Sequence, residues 1–244
     1  MGYLRPQSGV CKIFGEDITR MSAATRERIA LLLEGHVQYA FMTIGQIERF
    51  YSQFYKKWNR AAYYELMEKL KVTPDQKLSS MSCGQRSQVA LGLILAQNAD
   101  LLVLDDFSLG LDPGYRRLFT DYLREYAKAE NKTVFMTSHI IQDMERLVDD
   151  CIILDYGRIL VQKPVKELMD TFHRYAFTAA DCSALESDSR LYSTSRIREN
   201  CETFSFETGE AVRKILEEKA IEYKDLRQEK LSLEDIFIGL TGKY

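Results

Sequence analysis

Two hydrophobic patterns alternate along most of the chain before Arg174. Short apolar runs, such as Ile29 to Leu33 and Leu101 to Leu104, are typical of strands buried on both faces of a sheet. Longer stretches between such runs have apolar residues at helical spacing and predict helices, as over Ser82 to Gln97 and Pro113 to Glu130. Strands that alternate with helices of this length indicate an α/β domain with a right-handed, mainly parallel sheet.

The same patterns predict the remaining elements. Further strands are expected over Val10 to Phe14, Thr133 to Thr137, Cys151 to Leu154 and Arg158 to Val161, and further helices over Thr43 to Trp58, Arg60 to Lys71, Ile140 to Leu147 and Pro164 to Phe172. Later elements are short strand-like runs at Tyr175 to Thr178 and Thr203 to Phe206, a helix over Glu210 to Lys219 and a last helix from Ser232. We therefore predict a domain over residues 1–173, with a helical subdomain at about residues 43–97, and an α+β appendage over residues 174–244.

Aromatic residues recur at helical spacing in the first long predicted helix. They are Phe50, Tyr51, Phe54 and Tyr55. A stripe of this kind is typical of a core face or of an interface with a neighbouring protein. A cofactor-binding face is the alternative.

Composition narrows the classes of protein. The chain has 244 residues, a net charge of −3 and no basic cluster, so no nucleic-acid partner is expected. It has neither an apolar run of roughly 18 residues nor a signal peptide at its start, which favours a cytoplasmic location. The five cysteines are widely spaced and lack a Cys-x-x-Cys pair, so we interpret them as reduced thiols and expect no zinc site.

A possible anion-binding helix start lies at Ser82-Cys-Gly-Gln85. Ser82 and Gln85 have the spacing of a capping box, in which each side chain binds the other residue's backbone amide. A helix start with a glycine offers N–H groups and the positive end of the helix dipole to an anion. A plain helix cap is the simpler interpretation of these four residues alone.

Two carboxylates follow the apolar run that ends at Leu104. Asp105 and Asp106 are predicted at the carboxyl end of a parallel strand, which is the edge where open α/β sheets bind ligands. One acid there can hold Mg²⁺, and its neighbour can orient or deprotonate an attacking water. A helix-capping loop is an equally common use of such a pair.

Two further segments have candidate roles. Asp112 and Pro113 have the pattern of an N-cap and a first helical residue. His139 follows the predicted strand Thr133 to Thr137 and is expected at the same sheet edge as Asp105, within reach of a phosphate. A lone histidine is more often structural. The hypothesis that His139 contacts a phosphate therefore depends on its expected position at this sheet edge.

Taken together and in this order, these segments strongly resemble the ATP-binding subunits of ABC transporters. The matching motifs are Met81 to Gln85 for the signature, Leu101 to Asp105 for the Walker B strand, Gly110 to Asp112 for the D-loop, and Ser138-His139 for the switch histidine. Glu34 falls at the Q-loop position. The ending from Ser232 to Thr241 is similar to that of ATPases serving ABC-2-type exporters, a multidrug or bacteriocin-resistance branch. The resemblance implies a P-loop NTPase-like ABC ATPase fold.

In this family two ATP-binding subunits enclose ATP between them, and the resemblance assigns roles accordingly. Nucleotide contacts are implied for Ser82, Cys83, Gly84, Gln85, Glu34 and Asp112, with Ser82, Gly84 and Gln85 at the γ-phosphate. The resemblance implies that Asp105 binds Mg²⁺, that His139 senses the γ-phosphate, and that Asp106 stands at the position of the catalytic glutamate. Implied partners are an ABC-2-type membrane permease and a second ATPase subunit, as a homodimer or a heterodimer. The implied location is cytoplasmic, on the inner face of the plasma membrane.

The sequence departs from the family at two places. It contains no Gly-x-x-x-x-Gly-Lys-Ser/Thr loop (Walker A), and Leu4 to Gly9 resembles the segment that follows that loop. We therefore expect an N-terminally truncated chain that does not bind ATP autonomously. The second departure is Asp106, which is one methylene shorter than glutamate; a carboxylate displaced by about 1 Å can cost about 10²-fold in rate.

Three functions are compatible with these motifs. The leading hypothesis is the ATP-hydrolysing subunit of an ABC-2-type exporter, acting through a separate membrane subunit. The alternative is a degenerate, non-catalytic partner that donates its signature motif to an intact ATPase, which Asp106 favours. A soluble ABC ATPase of translation or DNA repair is disfavoured, since the chain has neither a second cassette nor a long coiled coil.

Overall fold

The computed structural model describes residue 2 and residues 4–33, 39–107 and 111–242. By their contacts the chain divides into two compact units, Met1–His139 and Ile140–Tyr244. This division falls earlier in the chain than the boundary at residues 173 and 174, which stays a prediction.

The first unit is an α/β unit built on parallel strands. Its elements are β1 (Lys12–Ile13), β2 (Glu16–Asp17), α1 (Ala23–Glu27), β3 (Ile29–Leu32), α2 (Ile44–Ser52), α3 (Arg60–Lys69), α4 (Cys83–Ala96), β4 (Leu101–Asp105), α5 (Pro113–Ala129) and β5 (Thr133–Thr137). Among the described residues, β3, β4 and β5 form a parallel sheet in that order. The structure thus confirms the mainly parallel α/β sheet.

The core of this unit lies between α4 and one face of the sheet. Leu91 and Leu95 of α4 are fully buried, as are Leu102 and Leu104 of β4. Burial of each such leucine contributes roughly 1.5–3 kcal/mol relative to an exposed position. This packing fixes the carboxyl end of β4, and with it the position of Asp105.

The other face of the sheet becomes more open toward β5. Leu31, Val103 and Phe135 are register partners across the three strands. Leu31 and Val103 are half-buried, whereas Phe135 is 57% exposed. In the described residues β5 pairs with β4 alone. The outer edge of β5 therefore presents backbone groups and an apolar ring.

The second unit is an α+β unit. Its elements are α6 (Ile141–Leu147), β6 (Asp150–Asp155), β7 (Arg158–Pro164), α7 (Val165–Thr171), β8 (His173–Ala179), β9 (Tyr192–Ile197), β10 (Asn200–Ser205), α8 (Gly209–Glu218), β11 (Tyr223–Glu229) and α9 (Leu233–Thr241). Strands β11, β8, β10 and β9 form an antiparallel sheet in that order. Tyr175 and Phe177 of β8 share a buried cluster with Val212 and Leu216 of α8, so α8 covers one sheet face.

Three features of the fold differ from the sequence-based expectations. The helix predicted from Thr43 to Trp58 ends at Ser52. The strand predicted over Cys151 to Leu154 pairs antiparallel with β7 and is not a further parallel strand of the described sheet. Strands β9 and β11 were not predicted. They are the two edge strands of their sheet and carry mostly polar side chains. Their sequences therefore lack the alternation of apolar and polar residues that predicts a half-buried strand.

Candidate nucleotide site

The start of α4 has the predicted capping box. Ser82 Oγ accepts a hydrogen bond from the Gln85 amide at 3.2 Å, and Gln85 Oε1 accepts one from the Ser82 amide at 3.1 Å. The amides of Cys83 and Gly84 belong to the first helical turn, where a helix has no acceptors of its own for them. The positive end of the helix dipole lies at the same place. This helix start is therefore suited to an anion.

Gly84 is held against the next helix of the unit. A Cβ added to Gly84 would lie 2.6 Å from Cδ2 of the Tyr115 ring. Tyr115 is in the first turn of α5, and its carbonyl oxygen accepts a hydrogen bond from Gln88 Nε2 at 3.0 Å. Only glycine lets the ring pack on the α4 backbone at this distance. The glycine thus has a packing function at the helix start, in addition to the nucleotide contact that the resemblance implies.

The second part of the candidate site lies where β4 and β5 end together. Asp105 and Thr137 are register partners, and Thr137 Oγ1 donates a hydrogen bond to Asp105 Oδ1 at 2.6 Å. The Asp106 amide donates to Thr137 Oγ1 at 3.1 Å and to the Thr137 carbonyl oxygen at 3.2 Å. Asp106 has φ +44°, a left-handed conformation uncommon for residues other than glycine. The two strand ends therefore hold both acids in a specific backbone geometry.

His139 contacts the second of these acids. Its Nδ1 lies 2.6 Å from Asp106 Oδ2, and the His139 side chain is 56% exposed whereas that of Asp106 is 22% exposed. Nδ1 is engaged in this hydrogen bond, which leaves Nε2 as the other polar atom of the ring. Asp106 Oδ1 is buried and has no hydrogen-bond partner among the described residues. Among the residues that the structure describes, the cluster thus retains one carboxylate oxygen without a hydrogen-bond partner.

Of the remaining predicted site residues, one caps a helix and two lie outside the described residues. Asp112 caps α5, because its Oδ1 accepts from the amides of Gly114 and Tyr115 at 2.9 and 3.1 Å. Its predicted contact with nucleotide stays a prediction. Glu34 and Gly110 lie outside the described residues. No hydrogen bond within the described part of the chain joins the α4 start to Asp105, Asp106 or His139.

Two residues of this region were not singled out by the sequence. Thr137 is the last residue of the strand predicted over Thr133 to Thr137. The expectation that this strand ends at the same sheet edge as Asp105 could have identified Thr137 as a neighbour of that acid. Tyr115 carried no signal, since its contact with Gly84 depends on how α4 and α5 pack.

The residues present fit Mg²⁺ that is held together with a nucleotide. Within the described ranges, no three His, Cys, Asp or Glu side chains converge as a metal-binding group. Mg²⁺ in phosphoryl-transfer enzymes is commonly held by one or two carboxylates together with substrate phosphates. Asp105, exposed at the end of β4, matches that donor set as a single carboxylate. A single carboxylate does not match a metal site made of protein ligands alone.

Comparison with known proteins gives a consistent result. A family model described as ABC transporter matches residues 1–108. The bacitracin transport ATP-binding protein BcrA of Bacillus licheniformis is 27% identical over 177 residues, which cover 72% of this chain and 58% of that protein. The thiamine import ATP-binding protein ThiQ of Jannaschia sp. (strain CCS1) is 27% identical over 173 residues, 68% of this chain and 74% of that protein. The chain thus spans less than two thirds of the bacitracin relative.

A relative matched over a longer stretch and two solved structures complete the comparison. The uncharacterized ABC transporter ATP-binding protein YhcH of Bacillus subtilis (strain 168) is 24% identical over 247 residues, covering 100% of this chain and 81% of that protein. A solved ATP-binding subunit of an ABC transporter shares the fold with a TM-score of 0.58 at 22% identity, covering 69% of this chain and 72% of that one. CbiO1 of Clostridium perfringens, part of the transporter complex CbiONQ, has a TM-score of 0.57 at 22% identity over 69% and 71% of the two chains.

No helix in the described part of the chain is long and apolar enough to cross a membrane. The family model over residues 1–108, the named relatives and the shared fold point the same way: this chain is similar to the ATP-binding proteins of ABC transporters.

Proposed function

We propose that this chain is the ATP-binding subunit of an ABC-2-type exporter and couples ATP hydrolysis to transport through a separate membrane subunit. The observation that carries the proposal is the cluster at the ends of β4 and β5, where Asp106 Oδ2 lies 2.6 Å from His139 Nδ1 and Asp105 Oδ1 lies 2.6 Å from Thr137 Oγ1. The exporter assignment is supported by the resemblance of the chain ending and by similarity to the Nod factor export ATP-binding protein I of Burkholderia orbicola (strain AU 1054), which is 26% identical over 176 residues, 70% of this chain and 58% of that protein. A relative named for thiamine import shows that the ATP-binding domain does not by itself specify direction.

Each part of the site has a defined role in this proposal. The first turn of α4, with Ser82, Gly84 and Gln85, faces the γ-phosphate of ATP bound by a second ATPase subunit. Asp105 holds Mg²⁺, which when bound neutralises phosphate charge. Asp106 orients the attacking water or accepts its proton, and His139 holds Asp106 while its outer nitrogen faces the γ-phosphate.

We further propose that the phosphate-binding loop comes from outside these 244 residues. The sequence contains no Gly-x-x-x-x-Gly-Lys-Ser/Thr loop. The open edge of β5, with Phe135 57% exposed, is suited to pair with another strand. A parallel strand at that edge would deliver its following loop beside Thr137 and Asp105. Sequencing the DNA upstream of Met1 distinguishes a loop in the same reading frame from one supplied by another polypeptide.

An exposed group of aromatic rings supports a protein partner. Tyr39 and Phe41 precede α2, and Phe50 and Phe54 lie on it or directly after it. Successive rings meet edge to face, at 5.3 Å for Tyr39–Phe50 and 5.2 Å for Phe50–Phe54. Phe41 is 72% and Phe54 is 60% exposed. We call these four residues the aromatic surface and propose that it binds the membrane subunit, because aromatic residues are enriched at protein interfaces.

Substitutions in the aromatic surface test this partner. Phe41→Ser combined with Phe54→Ser is expected to reduce the amount of membrane subunit that copurifies with the tagged chain by tenfold or more, since buried aromatic anchors contribute about 2 kcal/mol or more each. Folding should change little, because both rings are exposed. The readout is quantitative mass spectrometry of the purified complex.

Ile197→Ser is the matched control for this experiment. Ile197 is 73% exposed and lies on β9 in the other unit. It should leave copurification unchanged. Equal recovery of a membrane protein with the doubly substituted chain would rule out the aromatic surface as the docking site, and recovery of no membrane protein with the unaltered chain would contradict the proposed function.

The non-catalytic partner remains the second candidate function, and Asp106 is the observation that favours it. The side chain is an aspartate and one of its oxygens is engaged with His139. In that function the start of α4 would still act on ATP held by another subunit, while hydrolysis at this chain's own acids would be absent. The effect of Asp106→Asn on turnover separates the two functions.

A further inference from the structure

Thr137 occupies a central position between the two acids of the candidate site. Its hydroxyl proton is donated to Asp105 Oδ1 at 2.6 Å, and the same oxygen accepts from the Asp106 amide at 3.1 Å. A hydroxyl can donate one hydrogen bond and accept others, so Thr137 Oγ1 can donate to Asp105 and accept from Asp106 at the same time. Neither contact is local in sequence, because 31 and 32 residues separate the partners.

The hydrogen bond to Asp105 restricts an otherwise exposed side chain. Asp105 is the last residue of β4 and its side chain is exposed. Binding of Oδ1 by the Thr137 hydroxyl fixes the rotation of the carboxylate and leaves Oδ2 for a ligand. Holding a ligand-binding group in its bound orientation removes an ordering cost at the time of binding. The contact should therefore strengthen cation binding at Asp105.

The second contact acts on the backbone of Asp106. The amide of Asp106 is bound by both the hydroxyl and the carbonyl oxygen of Thr137. These two bonds hold Asp106 at φ +44°, a backbone conformation that is strained for residues other than glycine. Loss of the hydroxyl leaves the carbonyl contact in place. We therefore expect its removal to affect Asp105 more than the Asp106 backbone.

We propose that Thr137 is a positioning residue that sets the Mg²⁺ affinity of this site by orienting the Asp105 carboxylate. The proposal rests on the proposed function, in which Asp105 holds Mg²⁺ with ATP. It adds a determinant of metal affinity on the neighbouring strand, 32 residues from the acid it orients.

Removing the hydroxyl provides the test. In the purified complex containing this chain, Thr137→Val is expected to weaken Mn²⁺ binding about tenfold, measured by electron paramagnetic resonance with a non-hydrolysable ATP analogue, since loss of a partner that orients a metal ligand typically costs 10- to 100-fold in affinity. The Mg²⁺ concentration for half-maximal ATP hydrolysis should rise by a similar factor. A purely structural role for Thr137 would change stability without this shift in metal affinity.

Matched variants keep the test decisive. Thr133→Val makes the same substitution at the other end of β5, on the same face, and should leave Mn²⁺ binding unchanged. Thr137→Ser and Thr137→Ala both lack the γ-methyl group and differ only in the hydroxyl, so Ser should bind Mn²⁺ like the unaltered protein and Ala should not. This pair decides the question if the valine variant does not fold.

Asp105→Asn distinguishes a failure of the proposed function of Asp105 from a failure of the inference about Thr137. It is expected to weaken Mn²⁺ binding more than Thr137→Val does, because it removes the ligand charge itself. Unchanged Mn²⁺ binding in Asp105→Asn would overturn the proposed function of that acid. Weakened binding in Asp105→Asn with normal binding in both Thr137→Val and Thr137→Ala would overturn the inference about Thr137 alone.

Discussion

Asp106→Asn is expected to lower the rate of ATP hydrolysis by the complex about 10²-fold or more, the contribution typical of a general base. The amide keeps the size of the side chain but loses the charge that pairs with His139 Nδ1 at 2.6 Å. It also removes the basic oxygen at Oδ1, which has no hydrogen-bond partner among the described residues. ATP binding should be retained, so the loss should appear in turnover rather than in nucleotide affinity.

The matched control is Asp121→Asn on α5. Asp121 is exposed and pairs with Arg117 in the same helix at 3.7 Å, so the same chemical change there should leave turnover unaffected. His139→Ala should reproduce most of the loss, because it removes the group that holds Asp106, whereas His173→Ala on β8 should not. Normal turnover in Asp106→Asn, in a complex that hydrolyses ATP, would refute catalysis by this acid and favour the non-catalytic partner.

Gly84→Ala is expected to lower the free energy of unfolding by about 1–3 kcal/mol, the usual cost of extra volume in a packed region. The new methyl group would lie 2.6 Å from Cδ2 of the Tyr115 ring, so the ring or the helix must move. Helix propensity acts in the opposite direction, since alanine is favoured over glycine in a helix by roughly 1 kcal/mol. Urea denaturation of the purified protein measures the net effect.

Two companion variants identify the cause of that loss. Gly209→Ala, in the first turn of α8, adds a methyl group 3.2 Å from the end of the flexible Gln228 side chain and 3.9 Å from Cε1 of Tyr175, which is ordinary contact, so it should be nearly neutral. Gly84→Ala combined with Tyr115→Ala should cost less than the two single changes added together, because the clash needs both groups. Full stability of Gly84→Ala would contradict the packing function of this glycine. If stability returns in the double variant while ATP hydrolysis does not, Gly84 also has a role in nucleotide contact.

The parts of the fold that sequence predicts well are those with strong local signals. The start of α4 is an example, because Ser82 and Gln85 are three residues apart and their reciprocal hydrogen bonds need no other element. Strand β4 is another, because its apolar run is long enough to require burial. Both elements were predicted to within one residue of their observed ends.

Other parts depend on contacts between distant residues. The roles of Thr137 and Tyr115 arise from strand register and helix packing, which no local pattern contains. The left-handed backbone of Asp106 was also unpredicted, since the bonds that hold it come from β5. Strands β9 and β11 were missed because their side chains are those of edge strands, where polar residues are favoured.

An equilibrium titration with Mg–ATP tests the central claim most directly, namely that this chain contributes only part of an ATP site. The 244-residue chain alone is compared with the complex purified through it. The complex is expected to bind Mg–ATP at roughly micromolar concentration, as ATP-using enzymes commonly do. The chain alone should bind at least about 10²-fold more weakly, because several charge-assisted hydrogen bonds, worth roughly 1.5–3 kcal/mol each, are missing. Binding by the isolated chain as tight as that of the complex would contradict the account.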